Sequence, residues 1–418
     1  MFFDPERRAA LLTFGFLVTV DMWIWAYLGH LPGFLWPSWL ILLLMLACLP
    51  LGGFLAARWS GGGVQKGAMV GLLASLLNLL ILGSLLKEAG SWATLFLCGN
   101  LLLGVLLGGL GGFLSRDSGD WEAPDWNSGF TAVVSLSTFF LLVAGGLVTS
   151  KEAGLAVPDW PNSFGTNMFF YPLSKMSGGI FYEHSHRLLG SLVGLGCLVL
   201  ALHLSASRVS SRLKRMAWFV LLAVSFQGLL GGLRVTGNLT LSQEAADLSP
   251  SILLAMVHGV FGQLVFALLV MAAVLMSRSW RVREEKSDRS ERRALNLLIA
   301  ALLLQLSLGV LVRHLAWGLW IHIAGALLVF LVGLTVAARF WEHAEKRGLF
   351  RPMGKGLAAL LVLQLCLGVI AAIVIFTPLR ENSTGLEVLV STGHQALGAL
   401  LLALVFSLRA WASRKETV

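Results

Sequence analysis

This 418-residue sequence has few charged residues. Aspartate, glutamate, lysine and arginine make up 13% of it, against 57% hydrophobic residues. At a mean hydropathy of +0.80, the chain has too little polar surface to cover a water-soluble globule of this length. Apolar runs of about 20 residues, enough to cross a bilayer core of ~30 Å, recur from end to end. The composition therefore excludes a soluble protein and predicts a membrane protein without a soluble domain.

Paired cysteines are also missing. The four cysteines, Cys48, Cys98, Cys197 and Cys366, all fall within apolar runs, and none forms a C-x-x-C spacing. This argues against a disulfide framework and against a zinc site. We interpret the four as small apolar core residues.

Apolar runs bounded by charge, glycine or proline predict about twelve transmembrane helices. The first run contains Asp21 and lacks a small-residue cleavage site, so we expect a retained span and not a signal peptide. The predicted spans are 9–29, 35–57, 64–86, 92–114, 129–149, 183–204, 214–234, 251–276, 293–312, 318–340, 354–376 and 388–410.

The net charge of +9 would suggest a nucleic-acid ligand in a soluble protein. Here the basic residues occupy short loops between apolar runs, so we expect no nucleic acid and interpret them as orientation signals. If the N-terminus is cytoplasmic, most of the 31 lysines and arginines lie on the inner side. The outer side then holds only Lys87, Lys151, Lys175, Arg187, Arg234, Arg313 and Arg380. The positive-inside rule then predicts that both termini are cytoplasmic, in a bacterial inner membrane.

A polar, acidic segment at 115–128, SRDSGDWEAPDWNS, interrupts the apolar runs. We interpret it as a linker between a four-helix extension, 1–114, and a group of eight helices. The extension offers no chemistry that its sequence identifies. An internal repeat divides the eight helices into two halves, 129–276 and 277–418. The predicted fold class is therefore all-α, with the last eight helices as two pseudo-symmetric four-helix bundles.

Four histidines define this repeat: His186, His258, His322 and His394, near the starts of alternate spans. The first and third, like the second and fourth, are 136 residues apart. All four helices run from outside to inside, so the imidazoles lie at one depth near the outer boundary. Imidazole is a common axial ligand of haem iron. A single buried histidine would fit packing equally well, but the matched set predicts haem ligation.

Small and polar residues accompany these histidines. At i+4 from each stands one of Gly190, Gly262, Ala326 and Gly398. We expect a flat macrocycle to lie against the helix backbone there. A Gln-x-x-x-Gly pattern also recurs in the seventh, ninth and eleventh spans, with glutamines Gln227, Gln305 and Gln364. We interpret it as helix packing, and the non-repeating histidines His184, His203, His314 and His343 as interfacial side chains.

Only the first half has ionisable residues beside its first histidine. Glu183 and Arg187 flank His186, and the long outer loop, residues 150–182, precedes them. A carboxylate three residues before a histidine shares its helix face. The residues leave three roles open for Glu183: a general base, a stabiliser of a developing cation, or the partner of Arg187. We expect the outer loop to cover a reacting ligand, whereas the second half holds a cofactor.

The segments GGLVTSKEAGLAVPDW and EHSHRLLGSLVG, at 145–160 and 183–194, resemble the haem A synthases, membrane proteins that oxidise haem O to haem A. The resemblance spans about 130–410. It implies that His186 and His258 bind the substrate haem. It also implies that His322 and His394 bind a haem b cofactor.

The resemblance further implies that Glu183, supported by Arg187, serves the oxidation of a porphyrin methyl group to a formyl group. A haem O synthase would supply the substrate, and haem A would serve cytochrome oxidase assembly. Three features depart from the family. The outer loop lacks the cysteine pair of many bacterial members, the loop before His322 is very short, and the four extension helices are additional. The electron donor and a homo-oligomeric state stay open.

Two other functions fit parts of the sequence. A bis-histidine di-haem electron carrier would use the same four histidines, but such carriers usually place ligands at two depths, and a carrier gives Glu183 no role. A transporter would explain tandem repeats and an intramembrane acid. It would not explain four histidines at one depth. We therefore predict a haem A synthase or a close relative.

Overall fold

The computed structural model describes residues 4–33, 36–115, 124–236, 252–282, 287–342, 348–377 and 384–413. Nearly all of these residues are helical. Twelve of the helices are long and apolar enough to cross a membrane. The all-α, twelve-span prediction is thereby confirmed.

The helices in chain order are α1 Pro5–Gly29, α2 Ser38–Ser60, α3 Gly63–Glu88, α4 Ala93–Leu114, α5 Trp126–Ser150, α6 Gly178–Ser205, α7 Ser211–Thr236, α8 Ile252–Met276, α9 Arg278–Val282, α10 Arg289–Leu315, α11 Leu319–Glu342, α12 Phe350–Phe376 and α13 Thr384–Ala412. Several extend beyond the predicted apolar runs because a helix continues through polar residues until a cap ends it. At the start of α10, Asp288 and Glu291 form a reciprocal capping box. Hydropathy alone does not detect such an end.

The outer loop is structured. Strands β1 Asn162–Ser163 and β2 Thr166–Asn167 form a short antiparallel hairpin, followed by two 3₁₀ turns. The Asp159 carboxylate accepts hydrogen bonds of 2.7 Å from the backbone N–H groups of Phe164 and Gly165, at the tip of the hairpin. One side chain thus holds the tip.

The chain divides into two compact units. Unit one comprises Met1–Leu141 and Ala153–Leu221, and unit two comprises Leu142–Glu152 and Leu222–Val418. These units do not follow the predicted domain boundaries, which stay a prediction. Most of the proposed linker, 116–123, lies outside the described residues.

In unit one, glycines bring α3 and α4 close together. A Cβ on Gly71 would collide with the Gly104 carbonyl, and one on Gly67 would collide with the Gly108 carbonyl. Small residues permit such close approach between membrane helices, which gains dispersion contacts in place of side-chain packing. The glycine richness of the extension is therefore a packing feature.

The extension also contacts α6 and the outer loop within unit one. Gly83 of α3 lies against the turn Met168–Phe170, where an added Cβ would be 2.6 Å from the Phe169 carbonyl oxygen. In the first turn of α1, Arg8 Nε lies 2.9 Å from His203 Nδ1. The other ring nitrogen of this histidine, Nε2, lies 2.7 Å from Asn127 Oδ1. His203 is thus a buried bridging residue near the end of α6, and its position at the membrane interface stays a prediction.

In unit two, the helices that carry the later histidines pack side by side. Helix α8 contacts α13, and α12 contacts both α11 and α13. Helix α10 contacts α8, α11 and α13. This packing places the Gln-x-x-x-Gly helices next to the histidine helices.

Candidate functional site

The first turns of α6 carry a buried ion pair. Glu183 Oε1 accepts a hydrogen bond of 2.6 Å from Arg187 Nη2, and both side chains are less than 10% exposed. The other carboxylate oxygen accepts a 2.8 Å hydrogen bond from the backbone N–H of Val157 in the outer loop. The i, i+4 spacing on the helix brings the two charges together. Glu183 is therefore held from its own helix and from the loop.

Arg187 fastens the same loop more extensively. Its guanidinium group donates to three backbone carbonyls, at 2.6 Å to Asp159, 3.0 Å to Asn162 and 2.8 Å to Val157. The planar, multi-donor guanidinium suits this geometry, which a lysine would not reproduce. Arg187 thus ties α6 to the residues on both sides of the Asp159 turn.

His184 also binds the loop. It is fully buried, its Nδ1 lies 3.0 Å from the Ser163 hydroxyl, and its ring centroid lies 5.0 Å from that of Tyr171. Its position near the membrane interface stays a prediction, to which the structure adds its burial against the loop. The first two turns of α6 therefore bind the outer loop through Glu183, His184 and Arg187.

His186 lies half-buried on this helix. One turn further on, no atom lies within 4 Å of the position that a Cβ on Gly190 would take, and the same is true of Gly194. The backbone is thus open on this side of α6, as the macrocycle hypothesis requires.

In unit two, His322 and His394 face each other. Their ring centroids are 6.5 Å apart and their planes are inclined by 76°. Metal–imidazole bonds are about 2 Å long, so two imidazoles on opposite sides of one ion have centroids roughly 6 Å apart. The pair therefore fits the two axial positions of one haem iron. Within the described ranges, no group of three or more His, Cys, Asp or Glu could hold a metal ion, and a porphyrin would supply the remaining ligands.

Each later histidine receives a hydrogen bond from a glutamine on the preceding membrane helix. Gln227 Nε2 donates to the His258 backbone carbonyl at 2.6 Å. Gln305 does the same to His322 at 2.8 Å, and Gln364 to His394 at 3.2 Å. These glutamines belong to the three Gln-x-x-x-Gly patterns.

The glycines of the same patterns lie against the imidazole rings. A Cβ on Gly231 would be 3.2 Å from His258 Cε1. The distance for Gly309 and His322 is 3.0 Å, and for Gly368 and His394 it is 2.9 Å. The prediction that these patterns pack helices was incomplete, because what they pack against is each time a predicted haem ligand.

The small residues at i+4 from the histidines behave differently in the two units. A Cβ on Gly262 would be 3.0 Å from Gln227 Nε2, and one on Gly398 would be 3.4 Å from Gln364 Nε2. These two glycines therefore accommodate a glutamine amide. Only Gly190, beside His186, has open space around it.

Comparisons with known proteins point to one family. Residues 128–321 match the family model described as cytochrome oxidase assembly protein. The chain is 27% identical over 243 residues to a haem A synthase of Beijerinckia indica subsp. indica, covering 50% of this chain and 65% of that protein. It is also 27% identical over 265 residues to a haem A synthase of Bradyrhizobium diazoefficiens, covering 55% and 69% respectively. The chain thus spans about two thirds of the length of these relatives. The family match contains the α6 residues and His258 and ends one residue before His322.

Proposed function

We propose that this multi-pass membrane protein, which is related to the haem A synthase family, oxidises the methyl group of haem O to the formyl group of haem A. The observation that carries the proposal is the buried pair of Glu183 and Arg187 beneath the outer loop. Such a pair accompanies His186, whereas neutral glutamines accompany the other three histidines. Simple electron carriage would give no reason for this difference.

His322 and His394 are the proposed ligands of a haem b cofactor. Their ring centroids are 6.5 Å apart, so both imidazoles could hold one haem iron, which would supply one-electron transfer. His186 and His258 are the proposed ligands of the substrate haem, and this assignment rests on the sequence resemblance and on the 136-residue repeat.

Glu183 is the proposed catalytic residue. Both of its carboxylate oxygens accept hydrogen bonds, from Arg187 and Val157. These two hydrogen bonds hold the carboxylate in one position at the start of α6. We therefore assign it an electrostatic role: a fixed negative charge near the porphyrin edge stabilises positive charge that develops during oxidation of the methyl group.

The outer loop has a supporting part in this proposal. Arg187 and His184 hold it over the start of α6, so that the Glu183 carboxylate is shielded from bulk water. Exclusion of water strengthens the interaction of a fixed carboxylate with a developing charge.

The test is the haem content of purified protein after expression with a source of haem O. Pyridine haemochrome spectra and mass spectrometry would be recorded for wild type, Glu183→Gln, and the matched control Glu152→Gln, which removes an exposed acid at the start of the outer loop. We expect haem A or partly oxidised haem O in wild type and control, and only haem O and haem b in Glu183→Gln. Two unmodified b haems in the wild type would support an electron carrier instead, and absence of haem would overturn both functions.

A further inference from the structure

We propose that each Gln-x-x-x-Gly motif is a positioning device that fixes the ring orientation of one haem histidine. We call the contact between motif and histidine the glutamine–histidine clasp, formed by Gln227 with His258, Gln305 with His322, and Gln364 with His394. The link to haem rests on the proposed function. The clasp itself rests on contacts within unit two.

The clasp is complete at His258. The Gln227 amide donates to the His258 carbonyl at 2.6 Å, and His258 Nδ1 lies 3.1 Å from the Gln227 carbonyl oxygen. Each residue thus uses its side chain to reach the other's backbone. The two hydrogen bonds are reciprocal and join neighbouring helices at one level.

Glycine at i+4 makes this reciprocity possible. In an α-helix the carbonyl of residue i bonds the N–H of residue i+4, which leaves a second lone pair for another donor. A bulky side chain at i+4 would cover that lone pair, whereas Ala326, at i+4 from His322, still admits the Gln305 amide at 2.8 Å. Gly231 leaves the Gln227 carbonyl accessible to the imidazole, and Gly262 leaves the His258 carbonyl accessible to the amide.

The ring pose recurs at all three histidines. Distances from a Cβ placed on Gly231, Gly309 or Gly368 to the facing ring are nearly the same at all three sites. They are 2.9–3.2 Å to Cε1, 3.5–3.6 Å to Nδ1 and 3.7–3.9 Å to Nε2. Cε1 of the ring therefore points towards the motif helix in each case, with Nδ1 slightly closer to it than Nε2. Three matching poses on three helix pairs are not expected from general helix packing, which constrains side-chain volume but not ring orientation.

The clasps differ in detail. At His322 the Gln305 amide nitrogen also lies 3.0 Å from the ring Nδ1. At His394, Nδ1 makes no hydrogen bond of standard geometry, and the glycine contact is the tightest of the three at 2.9 Å. At His258, donation from Nδ1 leaves Nε2 without a hydrogen, as a haem ligand requires. What all three share is the ring contact with glycine and the amide bond to the histidine backbone.

The first experiment uses α12 and measures the haem itself. Gly368→Ala places a Cβ against the His394 ring, whereas the control Gly356→Ala in the same helix meets only Leu404 at 3.8 Å. Gln364→Leu removes the amide donor and replaces it with an apolar side chain of similar size. We expect both test variants to shift the largest g value of the low-spin ferric haem b in electron paramagnetic resonance spectra, and the control to match wild type.

The second experiment needs no haem. In haem-free protein labelled with ¹⁵N-histidine, solid-state NMR reports which ring nitrogen carries the hydrogen. We expect hydrogen on Nδ1 of His258 in wild type and in the control Gly228→Ala, which has nothing within 4 Å. In Gly231→Ala, which places a Cβ 3.2 Å from His258 Cε1, we expect the signal of hydrogen on Nδ1 to be lost.

The two readouts separate the two proposals. Bound haem b with a spectrum that is unchanged in Gly368→Ala and Gln364→Leu would overturn the clasp and leave the proposed function intact. A wild type without haem, but with the predicted His258 signal lost only in Gly231→Ala, would overturn the proposed function and support the clasp.

Discussion

His186 and His394 have opposite surroundings. Near His186, the start of α6 is bound to the outer loop by a buried ion pair, and Gly190 leaves open space one turn away. His394 is held between helices by a neutral amide and a glycine, and Gly398 accommodates the same amide. A ring fixed by helix-to-helix contacts suits a resident cofactor. A ring beside open backbone and fixed charge suits a ligand that reacts.

The sequence shows the same difference in the helices that precede these histidines. Helix α12, before His394, carries Gln364 and Gly368, whereas the comparable part of α5, before His186, reads Leu141 and Gly145. The glycine recurs and the glutamine does not. The comparison teaches that one repeated helix pattern can supply four histidines while placing a buried ion pair beside one of them.

The largest expected effect is on the resident haem. His394→Ala removes one of the two facing imidazoles, so we expect complete loss of the low-spin haem b signal. His314→Ala, at the C-terminal end of α10 and outside the repeat, is the control and should leave the signal unchanged. Optical and electron paramagnetic resonance spectra of the purified variants check this. If His394→Ala kept the signal and His186→Ala lost it, the assignment of the two halves would have to be exchanged.

The twelve spans were predictable because membrane insertion depends on the length and hydropathy of each segment, which are local properties. The histidine pair was predictable too, because His322 and His394 both stand near the starts of alternate spans within the second half. Their 6.5 Å separation agrees with that expectation. Most of the fold and part of the site could therefore be predicted from local periodicity and internal symmetry.

The clasp was not predicted, because sequence does not state which neighbouring helix a glutamine faces. Gln364 and His394 are 30 residues apart, and Gln305 and His322 are 17 apart. A signal was nevertheless present: each motif occurs in the membrane helix immediately before a repeated histidine. The bonds of His184 and Arg187 to the outer loop depend on the fold of an irregular segment, for which the sequence offers no period.

The ion pair gives the second largest expected effect, on stability. Arg187→Met leaves buried Glu183 and three loop carbonyls without their shared donor. Removal of one partner from a buried pair costs about 3–5 kcal/mol. Glu183→Gln should cost less, because Arg187 keeps its carbonyl partners.

Denaturant unfolding of the purified variants, followed by the helix signal in circular dichroism, measures both costs. The control is Arg313→Met, in the last turn of α10, which removes an exposed arginine bound to the Thr149 carbonyl. Exposed substitutions usually change stability by less than about 0.5 kcal/mol. Equal costs for Arg187→Met and Arg313→Met would show that the loop is not fastened by the buried pair, and the contrast between the halves would lose its physical basis.

The smallest expected effect concerns the N-terminal extension, which contacts the outer loop. Gly83→Ala places a Cβ 2.6 Å from the Phe169 carbonyl, so either α3 or the loop must move. Overpacking of this kind costs about 1–3 kcal/mol. Gly99→Ala in α4 is the matched control, because nothing lies within 4 Å of its Cβ and alanine favours a helix over glycine by up to about 1 kcal/mol.

If the extension supports the reacting half only, Gly83→Ala lowers the yield of haem A a few-fold and leaves the haem b spectrum as in wild type. Haemochrome analysis of one preparation measures both. If only the haem b spectrum changed, the extension would support the half that holds the cofactor and not the half in which oxidation takes place. An unchanged yield would show that the contact between α3 and the outer loop has no part in oxidation. The extra four helices would then need an explanation independent of the loop that their third helix contacts.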